Sequence, residues 1–201
     1  MLELITGATL AASAGLNAYI PLLGLGLLSR FTELVQLPAG WGWIENEWSL
    51  GILGVLLVIE ILVDKVPALD TVNDVLQSVV RPASGGMVFA AGAASDTVAV
   101  QDPAVFVSSG QIWPFVLGIG IALIPHILKA VARPVLNVLT AGAGAAVASF
   151  FEDLGAVALT LLAVVVPVLA LVLLVVIVVW LVRRLRRALR ERAARPTLIE
   201  G

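Results

Sequence analysis

The side chains able to do chemistry in this sequence are few, and they are gathered. Glu60 stands four residues before Asp64, so a helix would carry both carboxylates on one face. Lys65, Asp70, Asp74 and Arg81 follow, the last three at helical spacing, while His126, Lys129 and Arg133 recur at i, i+3 and i+7 as one cationic face. A charge at membrane depth costs roughly 2.5–3.5 kcal/mol on insertion scales, so Glu60 should face a partner or a water-filled cavity. Clustered carboxylates suit protons or hard cations, whereas Arg81, Lys129 and Arg133 suit anions or lipid headgroups. Asp64, Asp70 and Asp74 are also candidate ligands for a divalent ion, the basis for an intramembrane enzyme acting on a lipid phosphate. Ordinary roles compete with each reading. Glu60 could pair with Lys65 near the interface, Asp70 could cap a helix, and Lys129 and Arg133 could anchor a cytoplasmic edge. His126 is either a hydrogen-bonded packing residue or a proton relay.

A second group lies near the start. In "SAGLNAYIP", Asn17 and Tyr19 stand between Gly15 and Pro21, a combination that allows a kink or an unwound turn. Broken helices line ion and substrate sites in transporters, but Asn can equally glue two membrane helices together. Asn137, four residues after Arg133, joins the same candidate pathway.

The elements that must position these residues are apolar. Hydrophobic residues make up 60% of 201, charged residues 13%, and mean hydropathy is +1.07, too apolar for an ordinary soluble domain. The expected fold is an all-α integral membrane protein with six spans, at about 6–29, 48–63, 83–100, 112–131, 135–151 and 155–182. The third and fifth, rich in Gly and Ala, read as full spans packed inside a bundle or as shorter re-entrant segments. Residues 70–81, with Asp70, Asp74, Gln77 and Arg81 opposite Val72, Val75, Leu76 and Val79, read as a short amphipathic interfacial helix.

Seven of the twelve basic residues fall between Arg183 and Arg195, which divides the chain into a membrane domain, 1–182, and a basic cytoplasmic tail, 183–201. With that tail inside, both termini are cytoplasmic and Lys65, Arg81, Lys129 and Arg133 fall in cytoplasmic turns. Glu152 and Asp153 then fall outside, and Trp41, Trp43, Trp48 and Trp113 mark the outer interface. Val75–Ala94 aligns without gaps on Ile127–Ala146, pairing Arg81-Pro82 with Arg133-Pro134, a candidate parallel repeat. The alternative is chance likeness between Ala/Gly/Val-rich segments.

"SAGLNAYIPLLGLGLLSRF", the Leu37, Pro38 and Trp43 turn, "EILVDKVPALDTVND" and "VRPASG" resemble a bacterial membrane family catalogued as domain of unknown function 4126. The likeness extends through "HILKAVARPVLN" and "FFEDLG", and is strongest at Asp64-Lys65-x-Pro67-x-x-Asp70 and Arg81-Pro82. It implies a bacterial inner membrane but no activity, because the family is defined as uncharacterised. The leading expectation is a transporter or channel for a small ion or polar solute. The alternatives are the metal-dependent enzyme and a scaffold whose tail binds anionic lipid headgroups. A homo-oligomer is compatible with the small-residue spans. No cofactor is implied, the absence of cysteine removes disulfides and thiolate sites, and the tail lacks the interleaved aromatics of a nucleic-acid binder.

Overall fold

A computed structural model describes residues 1–100, 112–140 and 143–193. The Asp70 side chain and residues 194–201 of the tail lie outside what is described. Seven helices carry these residues: α1 Leu2–Leu16, α2 Tyr19–Phe31, α3 Glu47–Val63, α4 Pro67–Ala93, α5 Ile112–Thr140, α6 Ala143–Val165 and α7 Pro167–Ala193. A 3₁₀ turn, Gly42–Glu45, precedes α3, and an antiparallel pair of two-residue strands joins Val35 to Thr97 and Gln36 to Asp96.

The first predicted span is a hairpin. Thr6 Oγ1 donates to the Ala163 carbonyl, Ser13 Oγ to that of Ala156, and Asn17 Nδ2 to Asp153 Oδ1, so α1 runs antiparallel to α6. Past Asn17 the order reverses: Ile20 packs with Ala156 and Leu159, and Gly24 abuts Thr160, so α2 runs parallel to α6. Asn17, extended at φ −144 and ψ 124, makes the turn, and its Oδ1 accepts from the N–H groups of Tyr19 and Ile20. It is thus the side-chain cap of α2. Pro21 sits in the first turn of α2, where a missing N–H costs nothing.

The remaining helices alternate. Glu60 meets Arg81 and Asp64 meets Asn73, so α3 and α4 are antiparallel; Ser78 meets His126 and Gly85 meets Ala122, so α4 and α5 are too. Gly155 packs on Ile177 and Ala163 clusters with Ala170, which makes α6 and α7 a second hairpin, turned at Val166 before Pro167. The start of α1 therefore lies at the opposite end of the bundle from the end of α7. We call these the head and base ends. The expected span at 6–29 is thus two antiparallel helices.

Other boundaries also differ. The interfacial helix expected at 70–81 and the span at 83–100 are one 27-residue helix that runs through Pro82. α5 continues through Pro125 and Pro134 to Thr140, and the expected fifth span is divided between its end and the start of α6. Proline is tolerated within such helices when neighbours satisfy the freed backbone groups. The basic segment from Arg183 to Ala193 continues α7 without a break. The two Arg-Pro steps lie on antiparallel helices, which rules out the parallel repeat.

Among the described residues, two helices are long and apolar enough to cross a membrane, over Ile112–Val138 and Ala146–Val165; Leu2–Leu16, Tyr19–Phe31 and Pro167–Trp180 are shorter apolar helices. Six crossings are not established. The head half packs through small residues, with Gly7 against Phe89 and Ala93, and Gly118 against Gly85 and Gly86. Leu10, Ala11, Ala14, Val88 and Ala91 are buried between them.

Candidate functional site

Toward the base, helix faces are inverted relative to a soluble bundle. On α4, Gln77 and Arg81 are buried while Val72, Val75, Leu76 and Val79 are 62–73% exposed. On α5, His126, Lys129 and Arg133 point inward and Ile124, Ile127 and Val131 outward. On α3, Glu60 is buried while Val55, Val58, Ile59 and Leu62 are exposed.

The inward side chains form one ion-pair network with Asp64 at its hub. Helix α3 ends at Asp64, whose N–H still bonds the Glu60 carbonyl. Asp64 Oδ2 accepts from Arg133 Nη2 at 2.7 Å and Lys129 Nζ at 3.0 Å, and Oδ1 accepts from Asn73 Nδ2 at 2.9 Å. Arg81 Nη2 lies 3.7 Å from the same Oδ2 and donates to Glu60 Oε1 at 2.9 Å. Glu152 Oε2 stands 3.1 Å from Lys129 Nζ and 3.4 Å from Arg133 Nη2. Asp74 Oδ1 is 3.8 Å from Arg81 Nη1 and 3.7 Å from Arg133 Nη1. Glu60, Asp64, Arg81, Lys129 and Arg133 are each no more than 2% exposed. Burying an ion costs several kcal/mol, so such groups persist only by neutralising one another.

The hairpin tip is tied to this network. Lys129 Nζ also donates to the Leu16 carbonyl at 3.1 Å, so its three acceptors are Asp64, Glu152 and the end of α1. Ser84 Oγ donates to the Ala18 carbonyl, and Asn17 reaches Asp153 at 3.0 Å. Tyr19, on the first turn of α2, faces Glu60, Gln77 and Arg81. His126 contacts Arg81 Nη1 through Nδ1 at 3.5 Å and Ser78 Oγ through Nε2 at 3.1 Å. Arginine has only donors, so Nδ1 accepts and the proton of a neutral ring faces Ser78.

Of the residues singled out from the sequence, Glu60, Asp64, Asp74, Arg81, His126, Lys129 and Arg133 meet in this network. Asn17 and Tyr19 border it through the hairpin. Lys65 does not join: it is exposed and bonds the Ile61 carbonyl. Asn137 lies a turn beyond Arg133, half-buried, with an Oδ1 that has no hydrogen-bond partner. Arg81, Lys129 and Arg133 are core cations and not the cytoplasmic loop charges expected. Glu152 and Asp153, placed in an outer loop by hydropathy, stand inside α6. Asn73 and Ser149 were not anticipated; Ser149 Oγ lies 3.5 Å from Asp64 Oδ2.

Of the three aspartates considered as metal ligands, the Asp70 side chain lies outside the described residues. Asp64 and Asp74 are bridged by the guanidinium groups of Arg81 and Arg133, which stand where a metal would. Among the described residues, no group of three or more His, Asp or Glu side chains is placed to hold a metal ion. An apolar groove of about 600 Å³ between α6, α7 and the end of α1, lined by Leu16, Leu154, Leu173 and Ile177, reaches Glu152.

An all-helical bundle with span-length apolar helices and a buried ion-pair network at a hairpin tip defines the class of protein. Residues 4–187 match the family model described as a domain of unknown function (DUF4126), and the chain belongs to that family. Neither the curated proteins nor the solved structures yield a match.

Proposed function

We propose that the chain is a multi-pass membrane protein that moves a small ion or polar solute, with the α1–α2 hairpin and the charge network as the working part of its path. The observation that carries this reading is the inversion of α4: Val75 and Val79 are 69% and 73% exposed while Arg81 is buried beside Glu60. Aliphatic faces turned outward around an ionic interior are stable in hydrocarbon and costly in water. A hairpin ending on intramembrane charge resembles the discontinuous helices that place binding sites in transporters. Lys129, bonded to the hairpin end, Asp64 and Glu152, can pass a change of charge to the tip.

Flux from liposomes containing the purified full chain tests this. Wild type should move a proton, a monovalent cation or a small anion, and Glu60→Gln and Asp64→Asn should each abolish that flux. Unchanged flux in both variants would remove the network from the mechanism.

A second reading, a scaffold held to anionic lipid, is favoured by one observation: Arg183, Arg186, Arg187 and Arg190 are exposed on the base end of α7. Each contributes about 1 kcal/mol near an anionic surface. This segment would set the base end as cytoplasmic. Truncation before Arg183 should leave flux intact and weaken only retention on anionic lipid; loss of all cellular function with flux preserved would favour the scaffold.

A further inference from the structure

Counted over the described side chains, the charges of the network do not balance. Glu60, Asp64, Asp74 and Glu152 supply four carboxylates, Arg81, Lys129 and Arg133 three cations, and His126 is neutral by its hydrogen bonds. Four against three leaves one negative charge over, which a low-dielectric interior disfavours.

The partners are also shared unevenly. Asp64 touches all three cations, Glu152 touches Lys129 and Arg133, and Asp74 touches Arg81 and Arg133. Among the described residues, Glu60 pairs with Arg81 alone, through Oε1. Its Oε2 is buried without a hydrogen-bond partner, although the residue is only 1% exposed. Gln77, one turn before Arg81 on the same face of α4, also buries an Oε1 that has no partner. Tyr19 of the hairpin faces both residues. The other charged groups around Glu60 are Asp64 on its own helix, Asp74 and Arg81 from α4, and Lys129 from α5.

We propose that Glu60 is a proton-binding site, taking the network's exchangeable proton on Oε2. The proton adds to one carboxylate lone pair, so Oε2 becomes an O–H donor, and α4 carries two bare acceptor oxygens, Gln77 Oε1 and Asp74 Oδ1. Release restores the full charge beside Arg81 and under Tyr19 at the hairpin tip. A hard cation is the poorer occupant, since it takes about six oxygens and the described side chains here offer three bare ones, on Glu60, Asp74 and Gln77. The proposal rests on the transport reading only in naming a proton as the coupled ion; the site itself can be tested without flux.

The test is infrared spectroscopy of the full chain in lipid nanodiscs, titrated through neutral pH. Wild type should show a protonated-carboxyl C=O band equivalent to one group. Glu60→Gln should remove it, Glu60→Asp should shift it, and Asp153→Asn should leave it in place. A wild type with no such band, or a band that survives Glu60→Gln unshifted, overturns the proposal. The expected bands in a protein without flux would leave the site standing and overturn the transport reading; flux without the band would do the reverse.

Discussion

Near the head end, α1, α4 and α5 touch through hydrogen atoms and backbone: a β-carbon added at Gly118 would stand 2.3 Å from the Gly85 carbonyl oxygen. One to three turns toward the base, the same α4 meets α3 and α5 through Arg81 and Asp74. The head half is held by close packing, in which each methylene matters. The base half is held by mutual neutralisation, in which each charge matters. Close packing fixes one arrangement, whereas ions that each have two or three partners can exchange them, so any rearrangement belongs to the base half and to the hairpin tip that rests on it.

The largest effect expected from breaking this contrast comes from Arg81→Ala. Glu60 would lose its 2.9 Å ion pair, and Asp64 and Asp74 would each lose one of their cationic contacts. Removing one partner of a buried pair costs about 3–5 kcal/mol, read as a fall in thermal midpoint in detergent. Arg81→Ala combined with Glu60→Gln should recover part of it; no recovery would mean that the pair is not coupled.

Gly118→Val attacks the other half. Its side chain must displace the Gly85 backbone and the Phe89 β-carbon, and overpacking of this kind costs about 1–3 kcal/mol. The same substitution at Gly120, which faces open space, should change the midpoint little. Equal effects at the two sites would mean that α4 and α5 are not in contact at the head.

The smallest effect is at the tip between the halves. Asn17→Ala removes the cap of α2 and the bond to Asp153, for about 0.5–2 kcal/mol. Asn17→Asp keeps the capping oxygen but loses the donor, and should separate the two contributions in the same melting assay.

Much of the site was legible in the sequence because charges are rare in it. The spacing of Glu60 and Asp64, and of His126, Lys129 and Arg133, placed each set on one helix face, and the structure brings the sets together. The break near Asn17 was legible too, but a kink and a reversal have the same local signal. The direction of α2 is decided by packing of Gly24 and Ile20 on α6, which no local pattern records. Pro82 looked like a helix stop because its effect on an isolated helix is large, and α4 runs through it inside a bundle. Charge counting misplaced Arg81, Lys129 and Arg133 because the rule concerns loop cations, and these are paired in the interior. Glu152 and Asp153 fall between the expected spans 135–151 and 155–182, and the helix α6 runs through both from Ala143 to Val165.

The account stands on one claim, that the base half is a charged interior wrapped by an aliphatic surface lying in lipid. Spin labels placed singly at Val72, Val75, Val79, Ile127 and Val131 in nanodiscs measure this through collision with oxygen, which partitions into hydrocarbon, and with a water-soluble nickel chelate. The account predicts oxygen-dominated relaxation at all five positions. Relaxation dominated by the nickel chelate would place these faces in water and contradict it.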